Sequence, residues 1–245
     1  MARPIPPDRI ARLVEAAIRV FAQKGFRRAQ MADIAEEMSL STGSLYNYVE
    51  SKEALFFLVV DRGFGEPSKQ SPSLPIPTPK PGAIVRRLRE RIRETVRQPL
   101  LDVALSKKTA DDPKAELAGI LRELYRLLYR VADATNVIDR SALDLPDLAK
   151  LWYGEMRGGM VARLASLIEL RAKAGQYRKL PHAAAAARLL LETIVWFARN
   201  RRNDPASEEI TDQIAETTTI DFLVNGLIAR EDRRTKKRNS IRGAR

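Results

Sequence analysis

The 245-residue chain, with 44% hydrophobic and 30% charged residues, is long enough to bury a core and too apolar for a disordered protein. It contains no cysteine, which excludes disulfides, thiolate metal sites and cysteine nucleophiles. The net charge of +12 favours a polyanionic partner. However, residues 1–60 carry eight Lys/Arg against seven Asp/Glu, so the basic excess lies elsewhere, mainly in residues 80–108 and from Arg230 onward.

The first residues carry no sign of export or membrane insertion. The opening, MARPIPPDRI, lacks the apolar core of a signal peptide. The longest apolar run, ALFFLVV at 54–60, is too short to span a bilayer. We therefore expect a cytoplasmic protein without a membrane partner. The single histidine, His182, follows Pro181 and is expected to stand at the start of a helix without a chemical role.

The first predicted helix begins at Asp8, which can serve as its N-cap. Gly25 supplies a left-handed stop, and Phe26 is placed for the hydrophobic contact that often follows such a stop. The apolar residues in between recur at the spacing of one buried helix face: Ile10, Leu13, Val14, Ala17, Ile18 and Phe21.

Three more helices are predicted before residue 64. The second covers 31–38, and Ser41 and Ser51 are good N-caps for a third over 42–48 and a fourth that begins at Lys52. The second helix turns the following residues inward: Met31, Ile34, Ala35 and Met38. A tight turn between the second and third helices is typical of a helix-turn-helix.

The third predicted helix, in the stretch STGSLYNYVESK at 41–52, has little to bury, since only Leu45 and Val49 form an apolar line. In a DNA-reading helix-turn-helix the N-terminal part of this helix meets base edges in the major groove. It must therefore be slim, and Thr42, Gly43 and Ser44 satisfy that need. Glycine costs roughly 0.8–1 kcal/mol against alanine inside a helix, so stability alone does not favour it here.

The remaining polar groups of this stretch are able to contact DNA. Tyr46, Asn47 and Tyr48 offer an aromatic ring, an amide and phenolic hydroxyls to a thymine methyl, a base edge or a phosphate. Lys52 can add a phosphate contact that weakens with salt. The alternative for the tyrosines is that they are amphipathic edges of the core, and the pattern leaves both interpretations open.

A proline-rich segment then interrupts the helices. Six prolines lie between Gly65 and Gly82, so this part is predicted to be an extended linker or surface loop. We expect a helix-turn-helix domain at 1–63, the linker or loop at 64–82, a larger helical domain at 83–229, and a basic, disordered tail at 230–245. No alternating strand pattern appears, so the fold is predicted to be all-α, with later helices at 83–97, 100–108, 114–134, 147–174, 183–200 and 207–229.

These residues resemble the TetR family of transcriptional regulators. Sequences of this family contain, in order, an apolar helix, a Gly-aromatic pair, the dipeptide IA, a turn, and the motif GTLYxYF followed by SKEEL. Residues 9–57 contain the corresponding stretches VFAQKGF, MADIAEEM and TGSLYNYVESKEALF. The resemblance implies that four residues approach the DNA bases or the adjoining DNA backbone: Thr42, Gly43, Ser44 and Tyr46. It also implies that Tyr48 and Lys52 hold phosphates.

Three departures from the family pattern are informative. Ser39 stands at the turn position that usually holds glycine, which predicts left-handed backbone strain. The start of the second helix, AQMA, leaves Gln30 as its only polar candidate for a DNA contact. Val49 replaces a usual phenylalanine, which predicts different packing against the fourth helix.

The resemblance also implies that 83–229 is a sensor and dimerisation domain. The partners that it implies are double-stranded DNA, a second copy of the chain through 183–200 and 207–229, and an unidentified small-molecule effector. It implies no cofactor. The expected effector site lies among aromatic and methionine side chains of the middle helices: Tyr125, Tyr129, Trp152, Tyr153, Met156 and Trp196. The alternative is that these residues simply fill a helical core. The glycines of WYGEMRGG at 152–159 indicate close packing, a kink or room for a ligand.

The sequence therefore favours a ligand-responsive repressor that binds a pseudo-palindromic operator as a dimer through the helix at 42–48. One alternative is a helical protein that binds nucleic acids or anionic surfaces without specificity through 84–97 and the tail. A helical enzyme is less favoured, because no phosphate loop or catalytic set is present. The pair Asp111-Asp112 beside Pro113 is expected to cap a helix, and no metal site is expected.

Overall fold

The computed structural model describes residues 7–64 and 73–229. These residues are helical with no strand beyond two isolated bridges, which confirms the all-α prediction. In the same two ranges, no helix has both the length and the apolar character that crossing a membrane requires. Part of the proline-rich segment, 65–72, and the predicted tail, 230–245, lie outside the described residues.

Twelve α-helices carry the labels used below. A π-helix, Lys150–Arg157, lies between α9 and α10, and two short 3-10 turns, Asn200–Asn203 and Pro205–Ser207, separate α11 from α12. The α-helices of the described residues are α1 (Pro7–Arg28), α2 (Met31–Glu37), α3 (Thr42–Leu45), α4 (Lys52–Gly63), α5 (Ala83–Thr95), α6 (Pro99–Ser106), α7 (Pro113–Arg130), α8 (Ala132–Ala142), α9 (Pro146–Ala149), α10 (Gly158–Lys173), α11 (Ala183–Ala198) and α12 (Asp212–Leu227).

Several predicted helix bounds are wrong. The helix predicted at 42–48 is regular only over Thr42–Leu45, and 46–48 form turns. The helix predicted at 114–134 breaks at Val131, the N-cap of α8, which begins at Ala132. Most side chains that α8 buries are small or polar, so its apolar pattern is weak. The helix predicted at 207–229 begins only at Asp212, because Thr211 is its N-cap. Helix α1 begins one residue before Asp8, so Asp8 does not occupy its N-cap.

The described residues form two compact units. The first comprises the described part of Met1–Arg97 together with Arg126–Met160, and the second comprises Gln98–Tyr125 and residues 161–229. The first unit thus joins the predicted helix-turn-helix region with helices that the sequence analysis assigned to the sensor. The functional division into 1–63, 64–82, 83–229 and 230–245 stays a prediction, because compactness does not determine which residues bind DNA or an effector.

Helix α1 organises the first unit by packing against α4 and α8. Its predicted apolar face is buried, apart from a half-buried Ile18. At its end Gly25 adopts φ +73°, the left-handed conformation predicted for it, and lies against α8 and the residues that follow it. Helices α4 and α8 also approach closely, since a Cβ added to Gly63 would lie 2.9 Å from the Cβ of Ala134.

The second half of the proline-rich segment is not a loose linker. Residues 73–80 form no helix, as predicted, but the side chain of Ile76 is buried in the core of the first unit. Its backbone forms an isolated parallel bridge with Val49, immediately after the turns that follow α3. The segment is therefore attached to the helix-turn-helix region.

The second unit is organised around a buried arginine and a helix pair. Arg171 is fully buried, and its guanidinium donates to both carboxylate oxygens of Glu116 and to the carbonyls of Ala104 and Lys107 at 2.7–2.9 Å. Burial of a charge requires this degree of pairing. Helices α11 and α12 pack against each other.

Candidate nucleic-acid interface

The predicted reading helix is a single capped turn. The Oγ of Ser41 accepts the N–H of Ser44 at 3.3 Å, which confirms Ser41 as the N-cap. Thr42 and Gly43 are exposed and Ser44 is half-buried, whereas Leu45 is fully buried as an anchor. The start of α3 therefore projects small side chains into solvent.

Gly43 has no packing role within the described residues. A Cβ added to it would meet no heavy atom within 4 Å. Its φ is not in the left-handed region, so the backbone does not require glycine either. A glycine that neither the fold nor the backbone demands is the residue type expected where another molecule must approach the backbone closely.

The two tyrosines of this segment have different surroundings. Tyr46 is 48% exposed and Asn47 is exposed, so both can reach a ligand. Tyr48 is only 5% exposed and belongs to the core of the first unit. Of the two interpretations that the sequence left open for the tyrosines, a place at the edge of the core therefore describes the position of Tyr48. The predicted contact of Tyr48 with a phosphate stays a prediction.

Lys52 lies at the junction of α4 with the end of α1. Its ammonium donates to the carbonyls of Ala29 at 2.9 Å and Arg27 at 3.3 Å. It also lies 4.7 Å from the ring centroid of Phe26, a favourable cation–π position. These contacts use two of the three ammonium donors, so Lys52 holds α1 and α4 together and retains one donor for the predicted phosphate contact.

Asp33 organises the start of α2. Its Oδ2 accepts the backbone N–H of Gln30 at 2.9 Å, and its Oδ1 lies 2.8 Å from the ammonium of Lys24. The hydrogen bond from Lys24, together with that from Gln30, lowers the pKa of Asp33 below its usual value. The side chain of Gln30 is exposed beside this cap, where its predicted DNA contact is sterically open.

The turn between α2 and α3 contains the predicted strain. Ser39 has φ +54°, which confirms the left-handed conformation expected where the family pattern has glycine. The adjacent backbone is hydrogen bonded, with the N–H of Leu40 donating to the carbonyl of Ala35 at 2.8 Å. A non-glycine residue at positive φ persists only when its surroundings determine the conformation, and this turn sets the angle between α2 and α3.

Comparison with known proteins assigns this region to a family. Residues 13–59 match the family model described as bacterial regulatory proteins, tetR family. The HTH-type transcriptional regulator YfiR of Bacillus subtilis, itself uncharacterized, is 40% identical over 58 residues. That match covers 24% of this chain and 28% of the relative, so the chain covers under a third of that relative's length. Residues 13–59 therefore form an N-terminal domain of the TetR type.

Solved structures show how far the fold of this chain is shared. The ketosteroid transcriptional regulator KstR2 of Mycobacterium tuberculosis superposes with a TM-score of 0.59 at 16% identity, covering 92% of this chain and 98% of KstR2. AibR in complex with isovaleryl coenzyme A and operator DNA superposes with a TM-score of 0.54 at 16% identity, covering 88% of this chain and 98% of AibR. At these identities the similarity shows that the helical fold is shared along most of the chain.

The six residues predicted to line an effector site are divided between the two units. The first unit holds Tyr129, Trp152, Tyr153 and Met156, and the second holds Tyr125 and Trp196. Trp152 and Tyr153 lie on the π-helix, and both bind Asp139: the Trp152 Nε1 donates to its carboxylate, and the Tyr153 hydroxyl donates to its carbonyl at 3.1 Å. π-Helical turns occur often at functional sites.

In the second unit the two residues differ in exposure. The hydroxyl of Tyr125 donates to the carbonyl of Phe197 at 3.2 Å, and burial raises the pKa of Tyr125 to about 12. Trp196 is 37% exposed on α11. A cavity of about 340 Å³ does exist in the first unit, but none of the six predicted residues lines it. Its walls come from residues 79–82, Ile84, Val85, residues 145–148 and Glu53. The predicted effector site therefore stays a prediction.

Proposed function

We propose that this TetR-family protein is a ligand-responsive transcriptional repressor that binds a pseudo-palindromic DNA operator as a homodimer. The observation that carries the proposal is the exposed start of α3, where Gly43 has no packing partner and Tyr46 and Asn47 point outward. Such a slim, capped segment fits the major groove. The family of residues 13–59 supports the same role.

The outer faces of α11 and α12 support a homodimer. Leu189 and Trp196, seven residues apart on α11, are 70% and 37% exposed, and Ile214 and Phe222, eight apart on α12, are 51% and 74% exposed. Each pair lies on one face of its helix, and the two helices pack together. Large apolar side chains exposed together indicate an interaction surface. A second copy related by a two-fold axis would cover them in a four-helix bundle.

A dimer explains how a one-turn helix could select a DNA site. Two copies related by a two-fold axis place two α3 segments on half-sites about 34–36 Å apart, one turn of DNA. The expected operator is therefore pseudo-palindromic. An effector that prefers a conformation with a different separation of these segments would lower operator affinity by its differential affinity for the two states. The complex of AibR with isovaleryl coenzyme A and operator DNA supports an organic effector for this shared fold.

The experiment measures binding of the full-length protein to labelled DNA from upstream of its own gene, with excess random duplex as competitor. A Tyr46→Ala variant and a chain ending at Ala229 are measured beside it. We expect binding that resists competitor, fails with Tyr46→Ala and survives the truncation. Binding that disappears under competitor and needs residues 230–245 would instead indicate non-specific binding through the basic tail.

Dimerisation is measured separately by sedimentation. Phe222→Glu places a charge on the exposed apolar face of α12 and should convert the dimer to a monomer. Gln213→Glu adds a charge on a different side of the same helix and should leave the dimer intact. A dimer that resists Phe222→Glu would show that α12 does not form the interface.

A further inference from the structure

Residues 73–82, here named the strap, are bound to the segment that follows α3. The N–H of Ile76 donates to the carbonyl of Tyr48 at 2.8 Å, and the N–H of Glu50 donates to the carbonyl of Ile76 at 3.0 Å. The N–H of Thr78 donates to the Oε2 of Glu50 at 2.9 Å, and its hydroxyl donates to the Oγ of Ser51 at 2.8 Å. Four hydrogen bonds therefore connect the strap to residues 48–51.

The strap is also held by burial. The side chain of Ile76 is 8% exposed and belongs to the same core as Leu45 and Val49, which are fully buried. Leu45 and Val49 are the two anchors of the predicted reading segment. Ile76 thus packs into the core that sets the depth at which this segment sits.

The reading segment cannot determine its own orientation. Helix α3 has only four residues, and a helix this short has no independent stability in water. The carbonyl of Tyr48 and the N–H of Glu50 lie beyond it and obtain their partners from the strap. The backbone that connects α3 to α4 is therefore fixed by a part of the chain 28 residues away.

Thr78 acts at the junction between the two helices. The Oγ of Ser51 accepts the N–H of Ala54 as the N-cap of α4, and it also accepts the hydroxyl of Thr78. A single oxygen thus joins the strap to the first turn of α4. Movement of the strap would change the geometry of the cap and of the connection that leads back to α3.

We propose that the strap positions residues 42–50 for DNA reading, and that Ile76 and Thr78 are positioning residues. The proposal rests on the proposed function, because it concerns the same DNA-reading segment. The regular helix from Thr42 to Leu45 extends about 4.5 Å at 1.5 Å per residue, so a tilt of about 10° displaces its tip by roughly 0.8 Å. Base hydrogen bonds tolerate only about 0.5 Å, and so such a tilt would abolish sequence discrimination.

The test uses the full chain and a duplex that the wild-type protein selects from a random library, with a scrambled duplex as the non-specific probe. Ile76→Ala and Thr78→Val remove the buried side chain and the hydroxyl, and Ile76→Val and Thr78→Ser restore most of each. Ile120→Ala, at a buried isoleucine of the second unit, controls for general destabilisation. Hydrogen exchange of the amides at 42–50 provides a measurement that does not depend on DNA.

For Ile76→Ala and Thr78→Val we expect a loss of at least about tenfold in affinity for the selected duplex, corresponding to about 1.4 kcal/mol. Binding to the scrambled duplex should change less than about twofold, because phosphate contacts do not depend on fine orientation. Exchange at 42–50 should accelerate. The conservative variants should bind like the wild type, and Ile120→Ala should lower the melting temperature without a change in the ratio of the two affinities.

Unchanged exchange at 42–50 in Ile76→Ala would overturn the proposal whatever the DNA result. An equal loss of affinity for both duplexes, matched by Ile120→Ala, would also overturn it, since general destabilisation would then explain the effect. If the wild type selects no duplex at all, the proposed function fails. Accelerated exchange in Ile76→Ala would in that case still support the strap as the element that positions the segment.

Discussion

Replacing Lys52 by methionine separates two roles for one side chain. The sequence pattern predicts a phosphate contact, whereas the structure shows the ammonium bound to the carbonyls of Arg27 and Ala29 and stacked on the Phe26 ring. Methionine keeps the apolar stem and removes the charge and all three donors. Lys52→Met therefore tests whether the ammonium stabilises the connection between α1 and α4.

The expected loss follows from those contacts. A hydrogen bond from a charged group contributes about 1.5–3 kcal/mol when well buried, and a cation–π contact adds about 0.5–1 kcal/mol. Lys52 is half-buried, so solvent screening reduces the sum, and we expect a net loss of about 1–2 kcal/mol. For a chain of this length, that loss lowers the melting temperature by about 2–8 °C.

Two measurements on the same samples distinguish the roles. Urea denaturation gives the change in the free energy of unfolding, and operator affinity against salt concentration gives the number of phosphate contacts. Lys173→Met, at an exposed lysine of the second unit, is the control and should change neither quantity. Unchanged stability of Lys52→Met, with a salt slope smaller by about 1, would refute the structural role and leave only a phosphate contact.

Four other substitutions, grouped in three predictions, test the first unit. Gly43→Ala should raise the free energy of unfolding by up to about 0.5–1 kcal/mol, because the added methyl group meets no protein atom. The same substitution should weaken operator binding if DNA approaches the backbone at Gly43. Equal operator affinity would show that DNA does not approach this backbone. Tyr46→Ala should lower the free energy of unfolding by less than about 0.5 kcal/mol and abolish specific DNA binding. Tyr48→Ala should lower the free energy of unfolding by about 3 kcal/mol, because the Tyr48 ring is buried. Similar unfolding curves for the two variants would contradict this difference. The pKa of Asp33 is lowered in the folded protein, so the carboxylate's contribution to stability is complete above the unfolded pKa of 3.8 and is lost as the pH falls through the folded pKa. Between about pH 5 and pH 3, the urea midpoint should therefore fall less in Asp33→Asn than in the wild type. Parallel midpoints would show that the contact with Lys24 does not stabilise the fold.

The sequence alone predicted the features that depend on near neighbours. The N-caps at Ser41 and Ser51 join atoms three residues apart, and the left-handed conformation of Gly25 is one that glycine adopts without a steric penalty. The buried face of α1 follows from helical periodicity alone. Each of these features is a consequence of local geometry, which the order of residues determines.

Contacts between distant residues could be decided only by the tertiary structure. Two tyrosines two positions apart look equivalent in the sequence, but packing buries Tyr48 and leaves Tyr46 exposed. The bonds of Lys52 to α1 span 23 and 25 residues, and the strap reaches residues 48–51 from 26 to 28 residues downstream. Helix α8 was missed because its buried residues are mostly small, and their fit depends on the facing surface of α1. Periodicity records which side of a helix is apolar, whereas the identity of the opposing surface is a property of the folded chain.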